Sequence, residues 1–530
     1  MSASQPETIR IPDFQSGSEI IGRIPLNDPA AAIHDIDRIF DSLLAAPPEH
    51  SVFFQLLELI RSPVTLVAEE LTRRYLNKAV PLGDAEDAFF REVARLRLKT
   101  ASAYAHCFKG SSNAETPQAD RHLAALLHRC IHFTGTAILE CHRARREVPW
   151  GLWFDLHGYH GTAEDMGLAT LEIPGIPESR VGSTHCAAAY LVFVLCDMAG
   201  GYSLSLRDQK LVYRWAAAWS AMIGLRPVAA GETLPPFVID PTQDVALRPS
   251  PECQRADRLR ILDTSRLAAH IERVRQTLRQ RIPMSEIGLG EDCTRQQCAQ
   301  LLGHLARQWS LVRAPRKFRR RATSGSIHVC AGFEEMHYFI SGKLFQQPEN
   351  PRAHSYSGLD DVFALRFQDD PQQVMATVAS CHLDVWKMAD QSANGFRLMR
   401  AVDGRKMTHG QLLALRPHDG EHFLLAQVSW LMQENDGGLI VGLRALPGLP
   451  QAICARPLAA TGEPRERSYQ RAFLLPALAT TGAERSLVLP AGCFRPNLEV
   501  EIFTDRASRV LLGKMLDSGP DFERVSFEDA

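Results

Sequence analysis

Hydrophobic positions recur with helical spacing from about Asp28 to Ser310. In the stretch that opens at Gln118, Leu123, Leu126, Leu127, Cys130 and Ile131 fall at i, i+3, i+4, i+7 and i+8, which aligns them on one helix face. Leu267, Ile271, Val274 and Leu278 repeat the stripe, and Arg266, Arg273, Arg275 and Arg279 on the other faces predict a basic outer surface. Thr294 followed by Gln297 has the form of a capping box and opens a last helix with Cys298, Leu301, Leu302, Leu305 and Trp309 inward. No fixed period of helix pairs is evident, so the region reads as an irregular all-helical domain rather than a solenoid. Pro227 to Pro251 holds six prolines and few periodic apolar positions, and is expected to be a long connection between helical layers.

Beyond Pro315 the pattern changes to short strands separated by turn residues. Ser326 to Ile340 alternates in part. Gln427 to Leu431 leads through Asn435, Asp436, Gly437 and Gly438 into Leu439 to Leu443, a hairpin by its turn chemistry. Between these, Gln346 to Gln373 is rich in Pro, Asp, Ser and Gln and is expected to loop out. Ser486 to Pro490 and Leu498 to Phe503 predict further strands. The expected fold class is multidomain α + β. Its parts are a polar N-terminal segment (1–27), a helical domain (28–312), a β domain (313–450) with an insertion at 346–373, and a smaller C-terminal β-rich unit (451–530).

Composition narrows the function classes. The 530 residues exceed what one hydrophobic core supports, and 45% hydrophobic with 23% charged residues is ordinary for globular protein. A formal charge of −2 gives no global pull toward nucleic acid or anionic lipid, so any anion site must be local. The first sixteen residues lack the basic and apolar regions of a secretory signal, and the longest apolar run, Ala187 to Cys196, is about half the ~20 residues a spanning helix needs. A cytoplasmic chain without a membrane partner is expected. The twelve cysteines form no CxxC pair, so neither a disulfide framework nor a zinc site is expected, although Cys293 and Cys298 lie close together.

The densest local charge is Arg313, Arg316, Lys317, Arg319, Arg320 and Arg321, with no acid among them, where helix gives way to strand. Arginine grips phosphate through a planar fork of donors and cannot titrate away, although such a run taken alone is more often a solvated linker. Downstream, Asp390-Gln391-Ser392-Ala393-Asn394-Gly395 interrupts a strand-like stretch. An ionised Asp accepts hydrogen bonds from the N1 and N2 donors of guanine, a Ser hydroxyl donates or accepts, and Gly permits close approach. The same residue types also make ordinary turns.

The two motifs in this order resemble the PilZ family, whose members bind cyclic di-GMP through an RxxxR segment and a later (D/N)xSxxG segment on a small β-barrel. Arg316 to Arg320 matches the first, and Asp390, Ser392 and Gly395 match the second. The resemblance spans about 313–450 and implies an antiparallel β-barrel closed by the strands at Val428 to Trp430 and Ile440 to Leu443. It further implies that Arg316 and Arg320 bind phosphate and guanine, that Asp390 and Ser392 hold the other guanine edge with Gly395 allowing approach, and that Arg321 adds charge. The ligand would be cyclic di-GMP, with no cofactor and no metal. The 70 positions from Arg320 to Asp390 require the segment at 346–373 to loop out for the motifs to meet. The family is associated with motility, adhesion and polysaccharide output.

Catalysis has weaker support. His128 and His132 stand four apart on a helix without an HExxH pattern or a third ligand, and Cys141-His142 are neighbours that point apart. Trp150, Trp153, Phe154, His157, Tyr159 and His160 read as helix packing, and no P-loop, GxGxxG or GxSxG is present. The expectation is a non-enzymatic receptor whose ligand changes how the barrel sits against the helical domain, which then engages a protein partner. The alternative is a non-binding PilZ-like scaffold or an RNA-binding adaptor using the basic linker, although the near-neutral charge and the single aromatic Phe318 in the Arg run make nucleic acid a poor fit.

Overall fold

In the computed structural model the chain divides into two units, residues 1–78 with 82–315 and residues 79–81 with 316–530. The structure describes residues 10–111, 117–175, 183–229, 231–253, 258–280, 282–284, 286–310, 321–348, 383–392, 394–401, 404–458, 468–479 and 482–530.

The first unit contains α1 (Phe14–Gly22), α2 (Pro29–Ala45), α3 (His50–Tyr75), α4 (Asp84–Ser111), α5 (Pro117–Ala144), α6 (Leu152–Asp165), α7 (Cys186–Met198), α8 (Leu206–Trp219), α9 (Ser265–Arg279) and α10 (Arg295–Gln308). Helix α5 is the wall between two cores. Leu123, Leu127, Ile131 and Ile138 belong to one core, and Leu126, Cys130, Phe133 and Cys141 belong to the other. The single stripe expected from spacing is therefore buried on two sides, because α5 packs against α4 and also against α6 and α7. The capping box holds as read, with Thr294 and Gln297 bonding each other's backbone, and the α9 stripe is buried as expected. The apolar run at 187–196 forms α7, whose residues are almost all buried. Helix α3 is long and apolar enough to cross a membrane by length and composition, yet it places Phe53, Leu56, Leu57, Ile60 and Val64 in the core.

Three features depart from the sequence pattern. Helix α1 forms inside the segment 1–27, with Asp13 as its N-cap accepting from Ser16 N at 2.8 Å. The proline-rich connection is not structureless: β4 (Phe237–Val238) pairs with β5 (Arg248–Pro249) inside it and β3 (Gly224–Pro227) pairs with β6 (Arg260–Asp263) across its ends, while β1 (Ile173–Pro174) and β2 (Ser183–Thr184) form a further short pair earlier in the unit. Within it, Asp244 caps α6 by accepting from Gly151 N, Trp153 N and Phe154 N at 2.6, 2.9 and 3.2 Å. Cys293 and Cys298 form a disulfide, the one among the described residues. Most of the aromatic cluster packs as expected, with Trp153, His157 and His160 buried and His157 bonding the Tyr190 hydroxyl at 2.8 Å, but Trp150 is 81% exposed and is not core packing.

The second unit holds two closed six-stranded barrels. The first runs through β7 (Arg321–Ala331), β8 (Asp384–Ser392), β9 (Gly395–Arg400), β10 (Leu412–Pro417), β11 (Leu424–Gln433) and β12 (Leu439–Ala445), in spatial order β10-β11-β12-β9-β8-β7. The second comprises β13 (Gln451–Pro457), β14 (Gln470–Leu475), β15 (Ser486–Pro490), β16 (Glu499–Phe503), β17 (Ala507–Ser518) and β18 (Phe522–Asp529). The hairpin read from Asn435 to Gly438 is β11–β12, but closure falls to the pairing of β10 with β7. The alternation over Ser326 to Ile340 ends early. Gly332 at φ +89° turns the chain into α11 (Phe333–Ser341), whose Phe333, Met336, His337 and Ile340 recur at helical spacing. Helix α11 joins both barrels in a shared core with Leu412, Leu425, Phe473 and Phe522. Polar links accompany that core: Leu412 N donates to the Asp521 carboxylate at 3.0 Å, and Arg444 pairs with Asp517 at 2.7 Å. Residues 79–81 join this unit, where Val80 and Met407 exchange backbone hydrogen bonds of 2.8 and 2.7 Å.

Candidate functional site

Strand β7 begins at Arg321, and its register on β8 sets Arg321 opposite Gln391 and Ala322 opposite Asp390. Two stretches some 70 positions apart in sequence thus become adjacent strand ends, because β7 and β8 are neighbours in the barrel. Arg316 and Arg320 lie outside the described residues, as does the looped segment apart from 346–348. Arg321 is exposed at the start of the strand that follows them.

The second motif is a hairpin end rather than a pause within one strand. Strands β8 and β9 pair Ser392 with Gly395, Gln391 with Phe396, and Asp390 with Arg397. Farther in, Met388 pairs with Leu398, so a β-bulge at Ala389 sets two residues of β8 against one of β9. The bulge matters for chemistry. Trp386 and Met388 point into the barrel, and without an extra residue strict alternation would send Asp390 inward as well. Instead the register sets Asp390 on the side of its cross-strand partner Arg397, where Asp390 remains buried, 8% exposed, and its carboxylate pairs with Arg397 Nε at 2.8 Å. A second irregularity, between Ala322 and Gly325 of β7, adjoins the first. Asp390, Ser392, Gly395 and Arg397 therefore share one face of the hairpin end.

The local geometry assigns each residue a present role. The Ser392 hydroxyl lies 3.2 Å from Asn394 Oδ1 and 3.3 Å from Gly395 O, which orients it across the turn. Asn394 O in turn accepts from Ala445 N at 3.0 Å, tying the hairpin end to β12. Gly395 is required sterically, since a Cβ there would lie 2.5 Å from Leu443 O, a backbone atom that cannot swing away. Gly395→Ala is expected to cost about 1–3 kcal/mol by overpacking, read as a lower urea midpoint; an unchanged midpoint would mean that β12 yields freely.

Arg397 is the residue that pattern reading missed. Counting outward from a two-residue turn between Ser392 and Gly395 pairs Asp390 with Arg397, so the signal was present once the hairpin was recognised. His128 is buried and His132 half-buried in the helical unit; desolvation, aided by neighbouring arginine charges, pushes His132 down to about 3. They gather no further ligand, and among the described residues no group of His, Cys, Asp and Glu could hold a metal ion.

Comparison with known proteins agrees with this architecture. Models of the cyclic-di-GMP receptor FimW match in three successive stretches: the N-terminal domain over residues 15–229, the middle PilZ domain over 236–381 and the C-terminal beta-barrel domain over 453–530. A relative described as "Cyclic-di-GMP receptor FimW", from Pseudomonas aeruginosa, is 24% identical, with 90% of this chain and 84% of the relative covered. The PilZ stretch includes the basic segment and β7 but stops nine positions before Asp390, so the second motif rests on its residues and on strand register. With three domain models of one receptor matched in order and a relative covered over 84% of its length, the chain is similar to FimW in all three parts and belongs to the PilZ-domain family of cyclic-di-GMP receptors.

Proposed function

We propose that this protein is a non-enzymatic, cytoplasmic receptor that binds cyclic di-GMP where the basic segment from Arg316 to Arg321 meets the β8–β9 hairpin end. The observation that carries this reading is the β7–β8 register, which brings Arg321 opposite Gln391, between Asp390 and Ser392. Arg316 and Arg320 supply charge-assisted hydrogen bonds to phosphate and a favoured pairing with guanine O6 and N7. Asp390 accepts from the guanine N1 and N2 donors, for which Arg397 must share or release the carboxylate. Arg397 then stands beside the ligand as a further cation.

Binding on a segment that leads out of the helical unit favours one arrangement of the units over another by its differential affinity, and a protein partner reads the change through the helical unit. Calorimetric titration of the full chain with cyclic di-GMP tests the site. The parent should bind, and Arg316→Ala and Asp390→Ala should each weaken binding about tenfold or more, the worth of a hydrogen bond to a charged group. Asp390→Ala should keep the fold, read as an unchanged circular dichroism spectrum, since the Arg397 side chain it leaves behind is 44% exposed and stays solvated. No heat with the parent rejects the reading in favour of a non-binding scaffold, and equal heat in all three proteins rejects this site. Small-angle scattering with and without saturating ligand tests the relay, which fails if the two profiles coincide.

A further inference from the structure

The second barrel carries a cavity that the dinucleotide reading does not use. It measures about 160 Å³ and opens where the end of β13, the start of β14, the end of β15 and the start of β16 gather. Leu489 and Val500 form its apolar part, and Gln470, Arg456, Arg471 and Arg495 contribute to its wall.

The three arginines differ in how far their donors are used. Arg456 is buried and fixed: its Nε donates to Glu501 Oε1 at 2.8 Å, and its guanidinium lies 4.3 Å from the centroid of the Tyr469 ring. Arg471 pairs with the exposed Glu334 at 3.0 Å, but its buried Nε has no hydrogen-bond partner among the described residues. Arg495 is exposed, and no carboxylate among the described residues pairs with it. Three guanidiniums face two carboxylates, one of them well solvated, so the cavity wall retains positive charge. A buried donor without a partner costs free energy that an acceptor would recover. Arginine forks suit tetrahedral oxyanions in two parallel hydrogen bonds. The cavity is well below the about 300–1,000 Å³ of pockets for drug-sized ligands, which excludes a whole cyclic dinucleotide.

We infer that this end of the second barrel is a phosphate site, taking inorganic phosphate or the phosphate group of a small monoester, independent of the cyclic di-GMP site. The test is calorimetric titration of the full chain with inorganic phosphate, and separately with glycerol phosphate, at ionic strength matched by sodium chloride. Saturable binding is expected, weakened about tenfold in Arg495→Gln and less in Arg495→Lys, which keeps the charge but not the fork. Tighter binding of the monoester identifies an organic phosphate as the ligand, and equal binding identifies free phosphate. Binding should persist in saturating cyclic di-GMP. Absence of saturable binding, equal affinity in parent and Arg495→Gln, or competition by cyclic di-GMP would each overturn the assignment, and the first two do not depend on whether the dinucleotide itself binds. Arg495 is exposed, so an unchanged circular dichroism spectrum is expected to accompany the loss.

Discussion

Trp386→Ala is expected to destabilise the first barrel by about 3–5 kcal/mol, the range for removing a buried aromatic side chain. Trp386 is 1% exposed, on β8 opposite Ile327 of β7, and the Arg400 guanidinium sits 4.7 Å from its ring centroid. Truncation opens a cavity in the strand that carries Asp390 and Ser392, and it removes the aromatic face against which Arg400, 6% exposed, is packed. A domain stable by about 5–15 kcal/mol would lose a large fraction of that margin. Urea unfolding of the full chain should show the barrel transition moving to lower denaturant while the helical unit's transition stays in place. Trp386→Phe, which keeps most of the volume, should lose far less. A shift below about 1 kcal/mol in the alanine variant would mean that the barrel is not built around this ring. If the barrel is the receptor site, saturating cyclic di-GMP should restore part of the loss, by about 2.7 kcal/mol at a hundred times Kd.

In the helical unit the comparable position is Glu58. Its carboxylate accepts from Arg129 Nε and Nη2 at 3.0 and 3.1 Å and from the Tyr104 hydroxyl at 2.8 Å. Arg129 is 5% exposed, so Glu58→Ala leaves a buried guanidinium without its carboxylate. Breaking such a pair costs about 3–5 kcal/mol, and the lower end applies because water reaches part of Glu58. Burial by itself would raise the Glu58 carboxyl, but the Arg129 hydrogen bonds and charge, with Arg61 and Tyr104, outweigh it and hold the pKa below the ordinary value. Because the folded value is the lower one, the stabilisation is complete above the ordinary carboxylate pKa of about 4.3 and is lost as pH falls through the folded value.

The buried histidines act earlier on the same axis. Burial, with nearby arginine charge, pushes His142 down to about 4 and His160 down to about 3. The unfolded chain therefore takes up these protons first, and stability should begin to fall below about pH 6.5. The Glu58 contribution separates from theirs by comparison with Glu58→Gln, which keeps the histidines. The gap between parent and variant in urea midpoint should be constant from pH 7 to 5 and shrink below about pH 4.3. A gap that stays constant to pH 3 would show that the carboxylate is not the group supporting Arg129.

Much of the candidate site was legible because its chemistry is local. A run of arginines without acids, and an Asp, a Ser and a Gly at fixed offsets, are visible without knowing where either stretch lies. What could not be read was the bulge at Ala389. Periodicity describes a regular strand, and one extra residue reverses which face every later side chain takes. Helix α11 was hidden for a related reason: nine residues after a β-strand give too short a window to separate a period of two from one of 3.6, and only Gly332 marks the change.

The sequence by itself determined the division into a helical part and a β part, the core stripes of α9 and α10, the cap at Thr294, the hairpin turn from Asn435 to Gly438 and the two motifs, because each depends on residues within about two helical turns or one hairpin of each other. The tertiary structure alone decided the rest. It made α5 a wall between two cores, paired β10 with β7 to close the first barrel, closed the C-terminal strands into a second, and set Arg321 beside Gln391. Each of these joins segments far apart in the chain, and such pairings are settled by which hydrophobic faces can be buried together, a property of the whole fold that no local pattern carries.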